Sequence, residues 1–273
     1  MALLAGRSRR FRLERLDAVV DRVLELRPDH VLITGDLTTT SLPSEFTEAY
    51  RRLGRLFERP ERVTIVPGNH DRYTLRAARK GWFEDTFGEF MPRRGFPWLR
   101  TLDDHTVILG LDPTRAHLTA SGRLPRQHIR MAQVFLNIYR PHRLIVACHY
   151  PLAAPAGHKA ELRRKALVNA KEVASWLSTV GPHLYCCGHV HAAWAFRPEE
   201  VPGQLCLNAG APLLRDRTGR CPPGFLQIDL IEDVVDVTHH AWTGSEWSVF
   251  PLVLAARHFE AARRAPLSTP SEV

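Results

Sequence analysis

Residues 63–71 read Val-Thr-Ile-Val-Pro-Gly-Asn-His-Asp, an apolar run that stops at a proline and a glycine. A short β-branched run bounded by Pro and Gly predicts a buried β-strand. Open α/β sheets bind their ligands just beyond the carboxyl ends of such strands. Asn69, His70 and Asp71 follow this strand directly, so they are candidate site residues.

Three further apolar runs end in a similar way. Residues 31–34 lead into Gly35-Asp36, residues 144–148 into His149, and residues 184–187 into Gly188-His189-Val190-His191. A lone Asp or His after a strand is usually a cap or a turn residue. Four such endings in one chain favour a shared site instead.

The side chains at these endings are typical metal ligands. Carboxylate and imidazole together suit divalent zinc, iron or manganese better than they suit Ca²⁺. Two histidines at alternate positions can splay toward neighbouring ions where a strand turns into a loop, so adjacent metal sites are possible. The candidate metal ligands are Asp36, Asn69, His149, His189 and His191.

Composition indicates a folded globular chain with a full core, since 44% of its 273 residues are hydrophobic. The formal net charge is +8, and nearly all of the positive charge comes from arginine. Apart from Arg7, Arg9, Arg10 and Arg12, the arginines are scattered along the chain. We interpret them as a solvated surface, with a polyanion-binding face as the alternative, and we do not expect nucleic acid as the partner.

The cysteines and the apolar runs indicate the compartment. The five cysteines are odd in number and have no C-x-x-C spacing, and Cys148, Cys186 and Cys187 lie in apolar runs, which fits a reducing compartment. No apolar run approaches the roughly 18 residues of a membrane span. Residues 1–10 have too short an apolar core for a signal peptide. We therefore predict a cytoplasmic protein without a transmembrane segment; the sequence does not indicate its oligomeric state.

Hydrophobic spacing predicts helices over residues 12–26, 127–139 and 170–180, alternating with strands, which is the pattern of a sheet with helices packed over it. After His191 the pattern changes to five short strands, and residues 252–264 are interpreted as a final helix. No linker divides the chain, so we interpret residues 1–264 as one domain and residues 265–273 as a loose tail. The aromatic segment 72–97 is expected to be buried against the domain; a lipid-facing or base-stacking cap is the alternative.

Taken in order, Gly35-Asp36, Gly68-Asn69-His70-Asp71, His149 and Gly188-His189-Val190-His191 resemble the motifs of the calcineurin-like metallophosphoesterases. The N-H-D and H-Y-P loops and the compact size are similar to the bacterial branch that includes class III cyclic-nucleotide phosphodiesterases. The resemblance implies an α/β fold, a four-layer αββα sandwich of two mixed β-sheets flanked by helices. It also implies a two-metal centre at the strand ends.

The resemblance implies a role for each candidate residue. Asp36 would bridge two divalent transition-metal ions, of Mn²⁺, iron or Zn²⁺. Asn69, His149 and His189 would complete one ion, and His191 would contribute to the other. His70 would contact the phosphate and assist the leaving group, with Asp71 orienting it.

The implied reaction is the hydrolysis of a phosphodiester, cyclic nucleotides included, by a water that the metals activate. The expected partner is a small-molecule phosphate ester. Nucleotide, phospholipid-head-group and phosphomonoester substrates all remain open, because loops that the motifs do not specify shape the pocket.

The chain departs from the family at its beginning. Family members open with a strand that ends in D-x-H and supplies two ligands of the first metal, and no D-x-H precedes Gly35. We expect that the first strand is absent, either because the start is assigned too late or because the enzyme is truncated. The first metal would then keep Asp36 and His191 alone. A non-catalytic or weakened family member that acts as a binding protein is the alternative function.

We predict that a polypeptide extended upstream through a D-x-H strand is more stable and much more active on a phosphodiester with Mn²⁺ than the 273-residue chain. The absent strand would be central in the sandwich, so its loss leaves the edges of its neighbours unpaired. Thermal midpoints and turnover of bis(p-nitrophenyl) phosphate compare the two lengths. Equal stability and equal activity would show that the family's first strand has no part in this protein.

Overall fold

A computed structural model describes residues 11–116, 120–163, 165–214 and 221–259. The helices are α1 (Leu16–Leu26), α2 (Pro43–Leu53), α3 (Leu75–Lys80), α4 (Trp82–Phe87), α5 (Arg126–Tyr139), α6 (Lys159–Arg163) and α7 (Ala170–Leu177). Short 3₁₀ turns cover Leu13–Arg15, Gly54–Leu56, Pro60–Arg62, Gly88–Phe90 and Ala156–His158. The predicted tail 265–273 and the arginines at positions 7, 9 and 10 lie outside the described residues.

The strands form three groups. They are β1 (Val31–Ile33), β2 (Val63–Ile65), β3 (Trp98–Thr101), β4 (Thr106–Leu111), β5 (Arg143–Cys148), β6 (His183–Cys187), β7 (Ala193–Phe196), β8 (Gln204–Ala209), β9 (Gly224–Ile231), β10 (Val234–Trp242) and β11 (Trp247–Arg257). A mixed six-stranded sheet has the order β3-β4-β5-β6-β8-β7, in which β4, β5, β6 and β8 run parallel. β1 and β2 form a parallel pair, and β9, β10 and β11 form an antiparallel sheet.

The six-stranded sheet is covered on both faces, so its central strands read as continuous apolar runs. Alternate residues point to opposite faces. Leu109 and Val146 pack on one side against α5 and α7, whereas Ile108 and Ile145 pack on the other side against β1, β2 and β9. Helices α1 and α2 lie outside that second layer of strands, which gives the predicted αββα order.

The predicted burial of the aromatic segment is confirmed. Phe83, Phe87, Phe90 and Trp98 are each at most 1% exposed and belong to the core between the layers. Phe90 packs against Phe57 with 4.3 Å between ring centroids and 35° between ring planes. The segment therefore closes the side of the domain beyond β2.

The second layer of strands is divided. Within the described residues, β1 pairs with β2 and β9 pairs with β10, and the free edges of β1 and β9 both line a cavity of about 2870 Å³. Side chains from α1 and from the six-stranded sheet complete its lining, among them Val19, Val23 and Ile145. The cavity adjoins the edge of β1 that the expected first strand would cover, and that expectation stays a prediction.

The predicted helix over residues 252–264 is wrong for the part that is described. β11 continues to Arg257, where it pairs with Val234 of β10 through an irregular register between Val235 and Thr238. Residues 252–257 are rich in Leu and Ala, which favour helices, but long antiparallel pairing outweighs that local preference. Residues 260–264 lie outside the described part.

Across the described ranges, no helix has both the length and the apolar composition that crossing a bilayer requires. The longest, α5, has 14 residues and one buried face.

We predict that Gly110→Ala destabilises the fold. Gly110 faces Trp98 across the β3–β4 pair, and a methyl group there would lie 2.3 Å from the indole ring, which is 1% exposed and has no room to move. Overpacking of this kind lowers the free energy of unfolding by about 1–3 kcal/mol. Denaturant unfolding measures the change.

Gly54→Ala is the matched control. Nothing lies within 4 Å of its added carbon, and Gly54 already has helical backbone angles. We expect this variant to be neutral or slightly stabilised, by less than about 1 kcal/mol. Equal stability of the two variants would contradict the packing argument.

Candidate metal centre

The carboxyl ends of four strands bring the candidate ligands to one place. Asp36 follows β1, Asn69 follows β2, His149 follows β5, and His189 and His191 follow β6. β1 and β2 are parallel neighbours in one layer, and β5 and β6 are parallel neighbours in the other. All five residues line the same cavity.

The backbone at this point is held in sparsely populated conformations. Asp36 has a φ of 59° and His189 a φ of 66°, values that are uncommon for residues with a side chain and that cluster at functional sites. Gly68 is required for a different reason, because a Cβ there would lie 2.2 Å from Oδ1 of Asp36. The loops after β1 and β2 therefore touch through backbone and carboxylate.

Asp71 fastens these two loops together. Its carboxylate accepts hydrogen bonds from the backbone N–H of Asp36 at 2.8 Å, of Thr38 at 2.9 Å and of Gly68 at 2.9 Å. Burial and the neighbouring Asp36 carboxylate raise the pKa of Asp71. Sequence reasoning expected Asp71 to orient His70, whereas both of its oxygens are directed to backbone amides.

His70 is oriented by other groups. Its Nδ1 lies 2.8 Å from the carbonyl oxygen of Thr39, which can only accept, so Nδ1 carries a proton. Its backbone N–H donates to Oδ1 of Asp36 at 2.9 Å. The ring of Tyr73 stacks on it, with 5.7 Å between centroids and 10° between planes. The backbone of His70 is thus bonded to the ligand Asp36, while its ring is held by Thr39 and Tyr73.

Backbone carbonyls also fix the tautomers of two ligand histidines. Nδ1 of His149 donates to Thr34 O at 2.6 Å, and Nε2 of His189 donates to Lys165 O at 3.0 Å. The remaining ring nitrogens, Nε2 of His149 and Nδ1 of His189, face each other at 3.1 Å. In neutral imidazoles both of these atoms carry lone pairs, so their approach calls for a proton or a cation.

Oxygen atoms complete the cluster. Nε2 of His149 is 3.2 Å from Oδ1 of Asn69 and 3.3 Å from Oδ2 of Asp36. Asp36, His149 and His189 each place a ligand atom within 4.8 Å of the others. Two imidazoles, a carboxylate and an amide oxygen fit a transition-metal ion, and histidines that donate their other N–H to a carbonyl are the usual arrangement in metal sites.

The electrostatics differ among the ligand side chains. Burial raises the pKa of Asp36, but the His149 imidazole outweighs burial and holds the pKa below its usual value. Burial lowers the pKa of His149, and Asp36 in turn raises it above the ordinary value. Burial and His149 lower the pKa of His189 to about 2, and burial and the Lys165 ammonium lower that of His191 to about 4. His189 and His191 are therefore neutral at neutral pH, the form that binds metal.

His191 does not join the close group. Among the described residues, the grouped His, Cys, Asp and Glu side chains are Asp36, His149 and His189 alone. His191 lines the same cavity, and the Asp36 carboxylate raises its pKa in part against the effect of burial.

The sequence did not reveal the roles of Thr34, Thr39 and Lys165, because each acts through a backbone carbonyl that any residue type could supply.

We predict that the purified chain holds about one transition-metal ion tightly, because the described donors form one close cluster. His189→Ala should lose that ion, since it removes a ligand and leaves His149 without its facing nitrogen. His105→Ala, an exposed histidine in the β3–β4 connection, should keep it. Elemental analysis measures metal per chain, and two tightly held ions per chain would contradict the prediction.

Comparison with known proteins gives the family. A family model described as calcineurin-like phosphoesterase matches residues 9–193. A "Transmembrane protein with metallophosphoesterase domain" from Danio rerio is 27% identical over 194 residues, which make up 67% of this chain and 37% of that protein. The match thus spans little more than a third of that relative.

A solved structure has the same fold. The crystal structure of a dimetal phosphatase from Danio rerio superposes with a TM-score of 0.64 at 13% identity, covering 88% of this chain and 89% of that chain. The family model covers more than half of the chain and includes the loops that carry Asp36, Asn69, His149 and His189. The protein therefore belongs to the calcineurin-like phosphoesterase family of metal-dependent hydrolases.

Proposed function

We propose that this protein hydrolyses phosphodiesters, cyclic nucleotides among the candidates, as a metal-dependent phosphoesterase. The observation that supports this best is the close cluster of Asp36, Asn69, His149 and His189 beside a histidine that is not one of its members. A cluster of ligands alone would serve metal storage or structure. A separately oriented imidazole next to it supplies the acid that ester hydrolysis needs.

The four ligands would hold a divalent ion, which when bound activates water and offsets charge on the phosphate. His70 has a different task. Because its Nδ1–H is directed to Thr39 O, Nε2 is the ring nitrogen left to face the substrate, and it would donate to the substrate in the imidazolium form. As water adds to phosphorus and gives up a proton to solvent, the ester P–O bond would break and Nε2 of the imidazolium would give its proton to the departing oxygen. Asp71 keeps the His70 loop in place by binding backbone amides.

We further propose that the substrate is a small-molecule phosphate ester and that the protein works in the cytoplasm, a reducing compartment. The thiols of Cys148, Cys186, Cys187 and Cys206 are buried and form no disulfide, which agrees with a reducing compartment.

A non-catalytic or weakened binding protein is the second candidate. Its support is the position of His191 outside the close group of ligands, which leaves a second ion with few described ligands. Metal binding without turnover would favour this candidate.

We predict that His70→Ala lowers turnover about 10²-fold or more while the metal content stays near that of the unmodified protein. Turnover of bis(p-nitrophenyl) phosphate with Mn²⁺, together with elemental analysis, measures both. His189→Ala is the comparison, because it should lose metal as well as activity. Equal metal loss in both variants would show that His70 is a ligand and not the acid.

A further inference from the structure

Ser41 lies in the loop that joins β1 to α2, at a position that its own backbone does not favour. Its φ is 57°, in the left-handed region, and its side chain is 0% exposed. The neighbours on both sides are fixed, since Thr40 N and Leu42 N donate to the Glu45 carboxylate at 2.9 and 3.0 Å. A strained serine held this firmly indicates that its hydroxyl has a specific task.

The hydroxyl of Ser41 is inserted into the turn after β2. It donates to the carbonyl oxygen of His70 at 2.7 Å and accepts from the backbone N–H of Tyr73 at 2.7 Å. These are the two groups, three residues apart, that would pair with each other in a hydrogen-bonded β-turn. Ser41 bridges them instead, so the spacing between His70 and Tyr73 depends on a side chain from another loop.

Two hydroxyls, those of Ser41 and Thr38, lie within hydrogen-bond distance of His70 O, and Ser41 is the better donor of the two. The hydroxyl of Thr38 also lies 2.9 Å from His70 O, but it lies 3.2 Å from Asp71 Oδ1 too. A hydroxyl has one proton to donate, so Thr38 is divided between two acceptors. Ser41 has one acceptor in His70 O and one donor in Tyr73 N–H, and both of its bonds fit.

The same two loops also hold the ring of His70. Thr39, between Thr38 and Ser41, receives the Nδ1–H of His70, and Tyr73 stacks on the face of the ring. Moving Ser41 would therefore shift the carbonyl of His70 and the partner of its ring together. We propose that Ser41 is a positioning residue, which sets His70 at the distance and angle from which it acts on the substrate.

This proposal rests on the proposed phosphoesterase function and deepens it. Ser41 touches none of the metal ligands in the described hydrogen bonds, so its loss should leave metal binding intact. It should lower kcat, which depends on His70, and leave KM nearly unchanged. A small misplacement of a reacting group is enough to lower a rate by an order of magnitude or more.

Two substitutions separate the effect of losing the Ser41 hydroxyl from the effect of relieving its backbone strain. Ser41→Ala and Ser41→Gly both remove the hydroxyl, but glycine also relieves the left-handed φ. We expect both variants to lose about tenfold in kcat, with Ser41→Gly the more stable of the two in thermal unfolding. Thr47→Ala, which removes an exposed hydroxyl bond to Pro43 O, is the control and should keep full kcat.

A double-mutant cycle tests whether Ser41 acts through His70. In the His70→Ala background, adding Ser41→Gly should change kcat by less than about twofold. A full tenfold loss in that background would overturn the proposal, because Ser41 would then act on something else. Unchanged kcat in Ser41→Gly, or loss of metal in it, would overturn the proposal as well.

Nuclear magnetic resonance supplies a readout that does not depend on turnover. In Ser41→Gly the Tyr73 amide should exchange faster, because it has lost its acceptor, and the ring nitrogen signals of His70 should move. An unmodified protein that hydrolyses no phosphate ester would reject the phosphoesterase proposal alone. Unmoved His70 signals in Ser41→Gly would reject the positioning role, whatever the activity.

Discussion

The carboxylate of Asp71, buried between two loops, is the constraint on which the site depends. A buried carboxylate is unfavourable unless hydrogen bonds replace its water, and here three backbone N–H groups do so. Those amides belong to the loop after β1 and the loop after β2, so one side chain binds both loops. Asp36 and Asn69 leave their strands on either side of this contact. Their convergence on His149 follows from it.

The second requirement is that the ligand histidines be held from behind. Thr34 O and Lys165 O take the outer N–H of His149 and His189, which turns one lone pair of each ring toward the other. Between two neutral rings such an arrangement is repulsive, and the carbonyls that impose it lie just after β1 and between α6 and α7. A proton or a cation between the two nitrogens removes this repulsion, so the carbonyls hold both rings in an arrangement that suits a metal ion.

Strand endings explain why so much of the site was predictable from the sequence. A β-branched run followed by Gly or Pro indicates where a strand stops, and parallel strands stop at the same edge of a sheet. The donors after β1 and β2 therefore lie together, as do those after β5 and β6, and the packing of the two layers brings both sets to one place. The chain gave no comparable signal for Thr39, Ser41 or Lys165, whose roles depend on how two loops interlock. The sequence likewise gave no signal that the Asp71 carboxylate binds backbone amides of both loops.

That helices pack over a sheet was also predictable, because helices and strands alternate with clear periods through residue 187; the four-layer αββα order was implied by the resemblance to the family. The end of the chain was not. Residues 252–257 carry Leu and Ala at a spacing compatible with a helix, and their strand form follows from pairing with β10, a partner that local composition cannot reveal.

β1 is the weakest strand of the site, and this explains why so many side chains support the loop that follows it. It has three residues, pairs on one edge within the described part of the chain, and is half-buried where β2 is fully buried. A short strand with one neighbour opens at low free energy. Asp36, which ends that strand, would then be poorly fixed by the ladder alone. Hydrogen bonds of Asp71, Thr38 and Ser41 join the loop after β1 to the loop after the better-buried β2. The precision of the site at β1 thus comes from side-chain hydrogen bonds between loops rather than from the sheet.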